Sequence, residues 1–162
     1  MNIELKPREK QHVVKFWNKT QDAEIRRVFP FNTNSISEAI LLYEQSLKEG
    51  ALSYGKVIYY NNEYIGDIWC YGIDEVNEKM AMLSIVIFEK YLWRKGIGTT
   101  VIKEFISDIY IKYNIDKIGA FTYLYNYGSI SLLKKVGFKE VEVFMEDGVE
   151  SVYLEYKNLN YM

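Results

Sequence analysis

The segment from Met80 to Tyr113 constrains the fold more than any other part of the chain. It begins with "MAMLSIVIF", an apolar run interrupted only by Ser84, which is typical of a strand covered on both faces. Glycine is disfavoured in helices by about 1 kcal/mol relative to alanine, so Gly96 and Gly98 in "WRKGIGTT" indicate a backbone that must come very close to something. The helix predicted after them runs to about Tyr113, and its apolar stripe consists of Val101, Ile102, Phe105, Ile106 and Ile109.

The residues before this segment predict a strand, two helices and a hairpin. The short strand lies near Ile3–Lys6. The first helical pattern runs through His12–Asn18, and the second begins at Ser35 or Ser37 and is closed by Gly50. The turn "NNE" between "SYGKVIYY" and "YIGDIWCYGI" is a hairpin signal.

The residues after the segment complete one domain. "DKIGAFTYLY" predicts a strand, a short helix follows from Asn126 to Gly137, and "KEVEVFM" with "ESVYLEY" predicts a C-terminal hairpin. This order predicts the α/β (α+β) class, with a mixed, twisted sheet of about six to seven strands flanked by about four helices. The length of 162 residues predicts a single domain spanning residues 1–162.

Composition excludes several function classes. A net charge of −2, a pI of about 5.6 and scattered basic residues argue against a nucleic-acid partner. One cysteine, Cys70, and one histidine, His12, are too few for a disulfide or a structural zinc site, so we expect no metal. The N-terminus lacks the apolar core of a signal peptide, and the longest apolar run is too short to span a bilayer. We therefore expect a cytoplasmic protein without a membrane partner, either a monomer or a homodimer.

The glycine turn has the chemistry of an anion site. Main-chain N–H groups at a helix start are unpaired, the helix dipole favours negative charge there, and Arg94 and Lys95 add positive charge. Two well-known phosphate loops do not fit, because a dinucleotide fingerprint needs glycine where Val101 stands and a P-loop needs lysine where Thr99 stands. Taken alone, the turn is equally compatible with a purely structural role.

A second motif, "NYGSISLLKKVGF" from Asn126 to Phe138, follows one strand later. Together with "WRKGIGT" it resembles the Gcn5-related N-acetyltransferase (GNAT) superfamily, and the resemblance covers essentially the whole chain. The usual first residue of the glycine motif is Gln or Arg, whereas this chain has Trp93. That departure resembles the ribosomal-protein N-terminal acetyltransferases and related small-molecule acetyltransferases. The resemblance implies transfer of an acetyl group from acetyl-CoA to a primary amine.

The resemblance also implies a set of cofactor contacts. The diphosphate of acetyl-CoA would lie on the turn formed by Arg94, Lys95, Gly96, Ile97, Gly98 and Thr99. The pantetheine arm would pair, like an added strand, with the main chain of Val86, Ile87 and Phe88. Asn126 would contact the arm, with Ser129 in the helix beside it. Asn126 is also a plausible N-cap of that helix, and the two roles are compatible.

Two catalytic side chains of the family are absent from their usual positions. Leu133 stands where many members have a tyrosine acid, and Phe121 stands where some have a glutamate base. We consider Asp67 as the base or amine anchor, and Tyr125 as a replacement acid. The alternatives for the base are Glu75 and Glu78, the alternative acid is Tyr123, and the two tyrosines could equally serve packing. His12 is expected on a helix surface and Cys70 in the core.

The acceptor is left open by the sequence. Phe29 and Phe31 in "RRVFPFNTNS" would line its pocket or simply pin the helices. The acceptor would be a protein N-terminus or a small amine such as a polyamine or an aminoglycoside. The alternative function is a non-catalytic acyl-CoA-binding module that has the same fold and no chemistry.

Overall fold

The computed structural model describes residues 2–29, 31 and 33–158. Within these residues seven strands form one sheet in the order β1-β2-β3-β4-β5-β7-β6. The strands are β1 (Ile3–Lys6), β2 (Tyr54–Tyr60), β3 (Glu63–Asp74), β4 (Met80–Ile87), β5 (Lys117–Tyr123), β6 (Lys139–Glu146) and β7 (Val149–Lys157). The helices are α1 (Lys10–Lys19), α2 (Ala23–Val28), α3 (Ile36–Ser46), α4 (Ile97–Lys112) and α5 (Tyr127–Val136).

The predicted fold class and element order are confirmed, with one helix added. The sequence predicted two helices before β2, and the structure has three, because α2 was missed. Its start has a recognisable signal, since the Asp22 side chain accepts hydrogen bonds from the N–H groups of Glu24 and Ile25. Six residues are too few for the periodic pattern on which the other helices were predicted.

The central strands diverge, and this divergence shapes the rest of the molecule. Among the described strands, β4 and β5 are the only parallel neighbours, and their pairing extends only over Met80–Met82 and Lys117–Gly119. Beyond these residues β4 continues to Ile87 and β5 to Tyr123 without pairing to each other. On its other edge, β5 pairs with β7 along its whole length. A wedge-shaped opening, called here the β4–β5 gap, therefore lies in the middle of the sheet.

Two apolar clusters cover the two faces of β4, as the apolar run predicted. Ala81 and Leu83 join the larger cluster, which also contains the buried stripe of α4. Val86 and Phe88 point to the opposite face, where they pack in a smaller, aromatic-rich cluster. All five predicted stripe residues of α4 are buried. None of the helices in the described part of the chain has the length and apolar character needed to cross a bilayer.

Gly66 of β3 is required by the contact between β3 and β4. A Cβ atom placed on Gly66 would lie 2.1 Å from the main-chain oxygen of Val86. That distance is far shorter than any van der Waals contact, and a main-chain atom cannot rotate away from it as a side chain could. Glycine at this position therefore permits the two strands to approach at the edge of the β4–β5 gap.

We predict that Gly66→Ala lowers the free energy of unfolding by about 3 kcal/mol, because β3 and β4 must separate to admit the methyl group. Gly128→Ala is the matched control. The added Cβ there would lie 3.9 Å from the nearest atom, and α5 gains helix propensity. Urea unfolding of both variants measures the effect, and equal stabilities would contradict the described strand contact.

Candidate functional site

The main chain of Ile87 faces the β4–β5 gap. Successive residues of a strand direct their N–H and C=O groups to alternate edges. The Phe88 N–H donates to the main-chain oxygen of Ile65 at 2.9 Å, and the Val86 oxygen lies over Gly66, so both groups are directed at β3. Ile87 must therefore present its polar groups to the opposite edge, where β5 has diverged.

This geometry bears on part of the sequence prediction. Val86, Ile87 and Phe88 were all expected to offer main-chain contacts to a ligand arm. The Val86 oxygen and the Phe88 N–H are directed at β3, so the contacts expected of these two residues stay a prediction that this geometry does not favour. Only Ile87 of the three is directed into the gap.

Trp93 lies at the end of the gap and contacts Ile87. Its indole Nε1–H donates to the Ile87 main-chain oxygen at 2.7 Å. Its ring packs against the smaller apolar cluster. The Ile87 carbonyl is thus engaged, which leaves the Ile87 N–H as the polar group of that residue without a partner among the described residues.

The glycine turn presents a series of free main-chain donors. Arg94 and Gly96 both have left-handed backbone conformations, with φ of 64° and 83°. The first hydrogen bond that closes α4 runs from the Thr100 N–H to the Gly96 oxygen at 3.3 Å. None of the main-chain N–H groups of residues 94–99 donates to another described residue. Left-handed turns with converging N–H groups at a helix start bind anions.

The two glycines of the turn are explained by different constraints. Gly96 has nothing within 4 Å of an added Cβ, so its positive φ is what requires glycine. Gly98 has no positive φ, but an added Cβ would lie 2.9 Å from Cδ2 of Leu132. Glycine at position 98 therefore suits the packing of α4 against α5, although the end of the Leu132 side chain could move to admit a methyl group.

Asn126 caps α5, as one of its two predicted roles requires. Its Oδ1 accepts a hydrogen bond from the Ser129 N–H at 3.2 Å. The side-chain NH₂ has no partner among the described residues and stays available to a ligand. Leu133 is buried in the core, and Gly137 ends the helix with φ of 124°. The side chain that replaces the family tyrosine is therefore part of the core.

Tyr125, the predicted acid, is bound to another element. Its hydroxyl donates to the main-chain oxygen of Arg27 at the end of α2. Its ring stacks on Tyr123, with centroids 5.2 Å apart and an interplanar angle of 17°. This contact ties α2 to the residues that follow β5. Donation of the Tyr125 proton to a leaving group would require this bond to break first, so its catalytic role stays a prediction.

Asp67, the predicted base, is buried in an ion pair. One carboxylate oxygen lies 3.1 Å from Arg8 Nε, and the other accepts a 2.5 Å hydrogen bond from the Tyr64 hydroxyl. Burial raises the pKa of the Asp67 carboxyl to about 6, although Arg8 and Tyr64 lower it. No hydrogen bond, ion pair or ring contact between described residues joins Asp67 to Tyr125. The structure therefore shows no direct contact between the two predicted catalytic residues, and their roles stay predictions.

The expectation for His12 is wrong. His12 was expected on a helix surface, but it is buried beside Tyr64. Its Nδ1 accepts from the Glu9 N–H at 2.9 Å, so Nε2 carries the proton and donates to the Tyr59 hydroxyl at 2.8 Å. Burial is the main cause that lowers the His12 pKa. Arg8 and Tyr64 complete this network. Arg8 is 59 residues from Asp67, and Tyr64 is three residues from Asp67 but 52 from His12, so no pattern in the sequence groups the four.

The remaining candidates occupy structural positions. Cys70 is buried as predicted, and burial raises its thiol pKa to about 12, which makes it a poor nucleophile. Glu75 accepts a 2.8 Å hydrogen bond from the Asn114 N–H. Phe29 and Phe31 pack against the smaller apolar cluster, with their ring centroids 6.3 Å apart. Among the described residues, no group of three or more His, Cys, Asp and Glu side chains is arranged to hold a metal ion.

Comparisons with known proteins show which sequence family and which fold this chain resembles. A family sequence model described as "Acetyltransferase (GNAT) domain" matches residues 2–139. An N-alpha-acetyltransferase of Saccharolobus solfataricus is 35% identical over 79 residues, which is 47% of this chain and 46% of that protein. The chain thus matches about half the length of this curated relative.

Solved structures share the fold at low sequence identity. An aminoglycoside acetyltransferase, AAC(6')-Ib, in complex with coenzyme A has a TM-score of 0.82 at 14% identity, covering 99% of this chain and 97% of that one. The ribosomal L7/L12 alpha-N-protein acetyltransferase RimL, also with coenzyme A, has a TM-score of 0.79 at 14% identity, covering 97% and 94%. At this identity the likeness establishes the fold alone.

We predict that the Asp67 carboxyl makes stability depend on pH. Its folded pKa of about 6 lies above the value of about 3.9 in an unfolded chain. Between pH 4 and 6 the folded protein therefore binds the Asp67 proton more tightly than the unfolded chain does. The stability that this carboxyl contributes falls as the pH rises through that window. In the D67N variant this fall is absent, so its stability relative to the wild type improves by about 2 kcal/mol from pH 4 to pH 7.

Urea unfolding at four pH values between 4 and 7 measures the difference. His12 and the other titrating groups contribute to both proteins, so they cancel to first order. The Asp108→Asn variant, altered on the exposed face of α4, corrects for the loss of one negative charge. An identical pH profile for wild type and D67N would show that this carboxyl is not buried in the ion pair described.

Proposed function

The chain belongs to the acetyltransferase (GNAT) domain family, and from this premise we propose that it transfers an acetyl group from acetyl-CoA directly to a primary amine. In this reaction the acetyl carbon forms a bond to the amine nitrogen as its bond to sulfur breaks. The amine loses a proton and the departing thiolate gains one. The observation that carries the proposal is the β4–β5 gap, which has free main-chain donors at one end and the Ile87 N–H along its edge.

The residues around the gap fit the cofactor. Residues 94–99 offer unpaired N–H groups at the positive end of the α4 dipole, and Arg94 and Lys95 add two charges, as a diphosphate requires. Strand β4 has an unpaired edge of the kind to which an extended, amide-containing arm can add. The free side-chain NH₂ of Asn126 is a further donor. When bound, acetyl-CoA would supply an acyl group activated by attachment to a thiol.

The chain's own contribution to the chemistry is positioning and polarisation. An N–H directed at a carbonyl oxygen stabilises the negative charge that develops there, and the Ile87 N–H is the candidate for that role. Holding amine and thioester in attacking geometry supplies much of the acceleration in such reactions. A thiol with a pKa of about 8.5 leaves readily, so the absence of a tyrosine at Leu133 is compatible with activity.

The acceptor side of the gap is aromatic and acidic. We call the open surface of β5, β7 and β6 the acceptor face; it comprises Phe121, Tyr123, Glu142, Phe144, Glu146 and Tyr153, which the strand register places on one side of the sheet. Phe121 is 51% exposed and contacts Phe144 and Tyr153, with ring centroids 5.4 Å and 5.1 Å away. Such rings bind cations on their faces.

The charge of this surface favours a cationic acceptor. The hairpin Lys139–Lys157 has six acidic and two basic side chains, although the whole chain has a net charge of only −2. Glu142 and Glu146 form no ion pair with a described residue, whereas Glu155 is paired with Lys117 at 3.2 Å. We therefore propose a small amine with more than one positive charge, in the class of polyamines and aminoglycosides, rather than a protein N-terminus.

We predict that Gly96→Val weakens binding of CoA about tenfold or more. Valine cannot hold φ near 83°, so the turn must rearrange and its N–H groups no longer converge. Gly50→Val is the matched control, because Gly50 has φ of 79° and equally open surroundings but lies between α3 and β2. Calorimetry with CoA measures both variants.

Three results are distinguishable. The proposal fails if the wild-type protein gives no heat of binding with CoA. Binding of CoA without thiol release from acetyl-CoA across a panel of amines would favour the non-catalytic binding module. Equal weakening by Gly96→Val and Gly50→Val would show that the turn is not the binding site.

We predict that replacing Glu142 and Glu146 together by Gln raises the KM for spermidine about fivefold or more. The KM for acetyl-CoA should stay within about twofold, because the two changes remove only the electrostatic attraction to the acceptor. The control replaces Glu44 and Glu104, which are exposed on α3 and α4. Thiol release with spermidine and with a short peptide bearing a free N-terminus measures the preference. Faster turnover of the peptide, unaffected by the two changes, would overturn the assignment of acceptor class.

A further inference from the structure

We propose that Trp93 is a positioning residue that sets the distance and register between the Ile87 N–H and the glycine turn. This inference rests on the proposed function, in which the turn holds the diphosphate and Ile87 faces the acyl group. Trp93 directly precedes the turn, and its side chain connects it to Ile87 through the hydrogen bond from Nε1 to the Ile87 oxygen.

The position of the indole is fixed by its surroundings. The Nε1···O distance of 2.7 Å is at the short end of the range for N–H···O hydrogen bonds. The ring packs against the smaller apolar cluster, which includes Phe88, the residue next to Ile87. The chain between the two bonded groups is closed by further hydrogen bonds, from the Leu92 N–H to Glu89 at 3.0 Å and from the Trp93 N–H to Lys90 at 3.1 Å. The end of β4 and the start of the turn therefore form one rigid unit.

The hydrogen bond also selects how a ligand arm can pair with β4. An open strand edge offers N–H and C=O groups in alternation, and an added chain can pair in more than one register. By the same alternation, Ile85 and Ile87 face the gap, and neither has a partner on β5. Because the Ile87 oxygen already accepts from Trp93, one of its two lone pairs is engaged and it is a poorer acceptor for an arm amide. The groups left fully free are the Ile87 N–H and the polar groups of Ile85, which favours one register.

The choice of residue fits this role. An indole is a hydrogen-bond donor only, so it can satisfy the Ile87 oxygen but cannot compete for the N–H groups nearby. Phenylalanine would fill the same space without the donor. Trp69 serves as an internal comparison, because it packs against the same cluster and its indole N–H donates to no described residue.

The experiment compares Trp93→Phe with Trp69→Phe in the full chain. We expect W93F to lower kcat about tenfold or more, since small displacements of a reacting group have large effects on rate. We expect the Kd for CoA to stay within about threefold, because the diphosphate contacts are unchanged. W69F should alter neither quantity. Both variants are also unfolded in urea, so that a general loss of stability can be separated from the effect on kcat.

Nuclear magnetic resonance gives a readout that does not depend on activity. The indole proton of Trp93 should exchange slowly with solvent in the free protein and remain protected when CoA is added, while that of Trp69 exchanges faster. If W93F does not fold, the alternative is to replace Trp93 by benzothienylalanine, which keeps the fused ring and removes only the N–H. Trp17 and Trp69 are first replaced by Phe, so that only position 93 carries the analogue. This protein should show the same loss of kcat when it is compared with the Trp17→Phe, Trp69→Phe protein that retains Trp93.

Two outcomes overturn the inference. One is a W93F or benzothienylalanine protein with unchanged kcat. The other is an increase in the Kd for CoA that accounts for the whole effect, which would make Trp93 part of the binding turn. Absence of CoA binding by the wild-type protein is a separate result, which overturns the proposed function itself and the role of Trp93 with it.

Discussion

The divergence of β4 from β5 is the constraint on which the rest of the site depends. A parallel pair in the middle of a sheet would normally satisfy its main-chain groups along the full length of both strands. Here pairing ends at Met82 and Gly119, and β7 takes the far edge of β5. The edge of β4 is consequently open inside the protein rather than at the rim of the sheet. An open edge in that position is a binding surface with fixed walls, because β3 and the two apolar clusters hold β4 in place.

The N-terminal elements stabilise one of those walls. Arg8 and His12 approach β3 from the opposite face to α4, and Tyr64 links them by donating to Asp67. Removal of one partner from a buried ion pair is strongly destabilising, whereas the intact pair contributes little net stability. The physical role of the Asp67 network is therefore to specify how α1 docks on the sheet. A carboxylate committed to that role is poorly placed to exchange protons with a substrate.

Local patterns predicted the elements, and long-range contacts determined most of the errors. The stripe of α4 and the cap at Asn126 depend on residues within one or two turns, and both were predicted correctly. The cap at Ser35 was one of the two positions that the sequence left open. The burial of His12 depends on Tyr59, which is 47 residues away, and the hydroxyl of Tyr125 is bound to Arg27, which is 98 residues away. A single sequence contains no signal for such pairs. The same limit applies to Ile87, since the edge that a main-chain group faces depends on the register of β3.

The charged side chains near the glycine turn and those on the acceptor face have opposite signs, so the two regions attract different ligands. Arg94 and Lys95 stand beside the free N–H groups of the turn, while the acceptor face has Glu142 and Glu146 without ion-pair partners among the described residues. A polyanionic cofactor and a polycationic amine would therefore be attracted to opposite ends of the same opening. Attraction of this kind increases encounter rates and is weakened by salt. It follows that the chemistry itself needs few charged groups along the gap. Ile87 lies at its edge, and Phe121 and Leu133 stand at the positions where the family motif would predict ionisable residues.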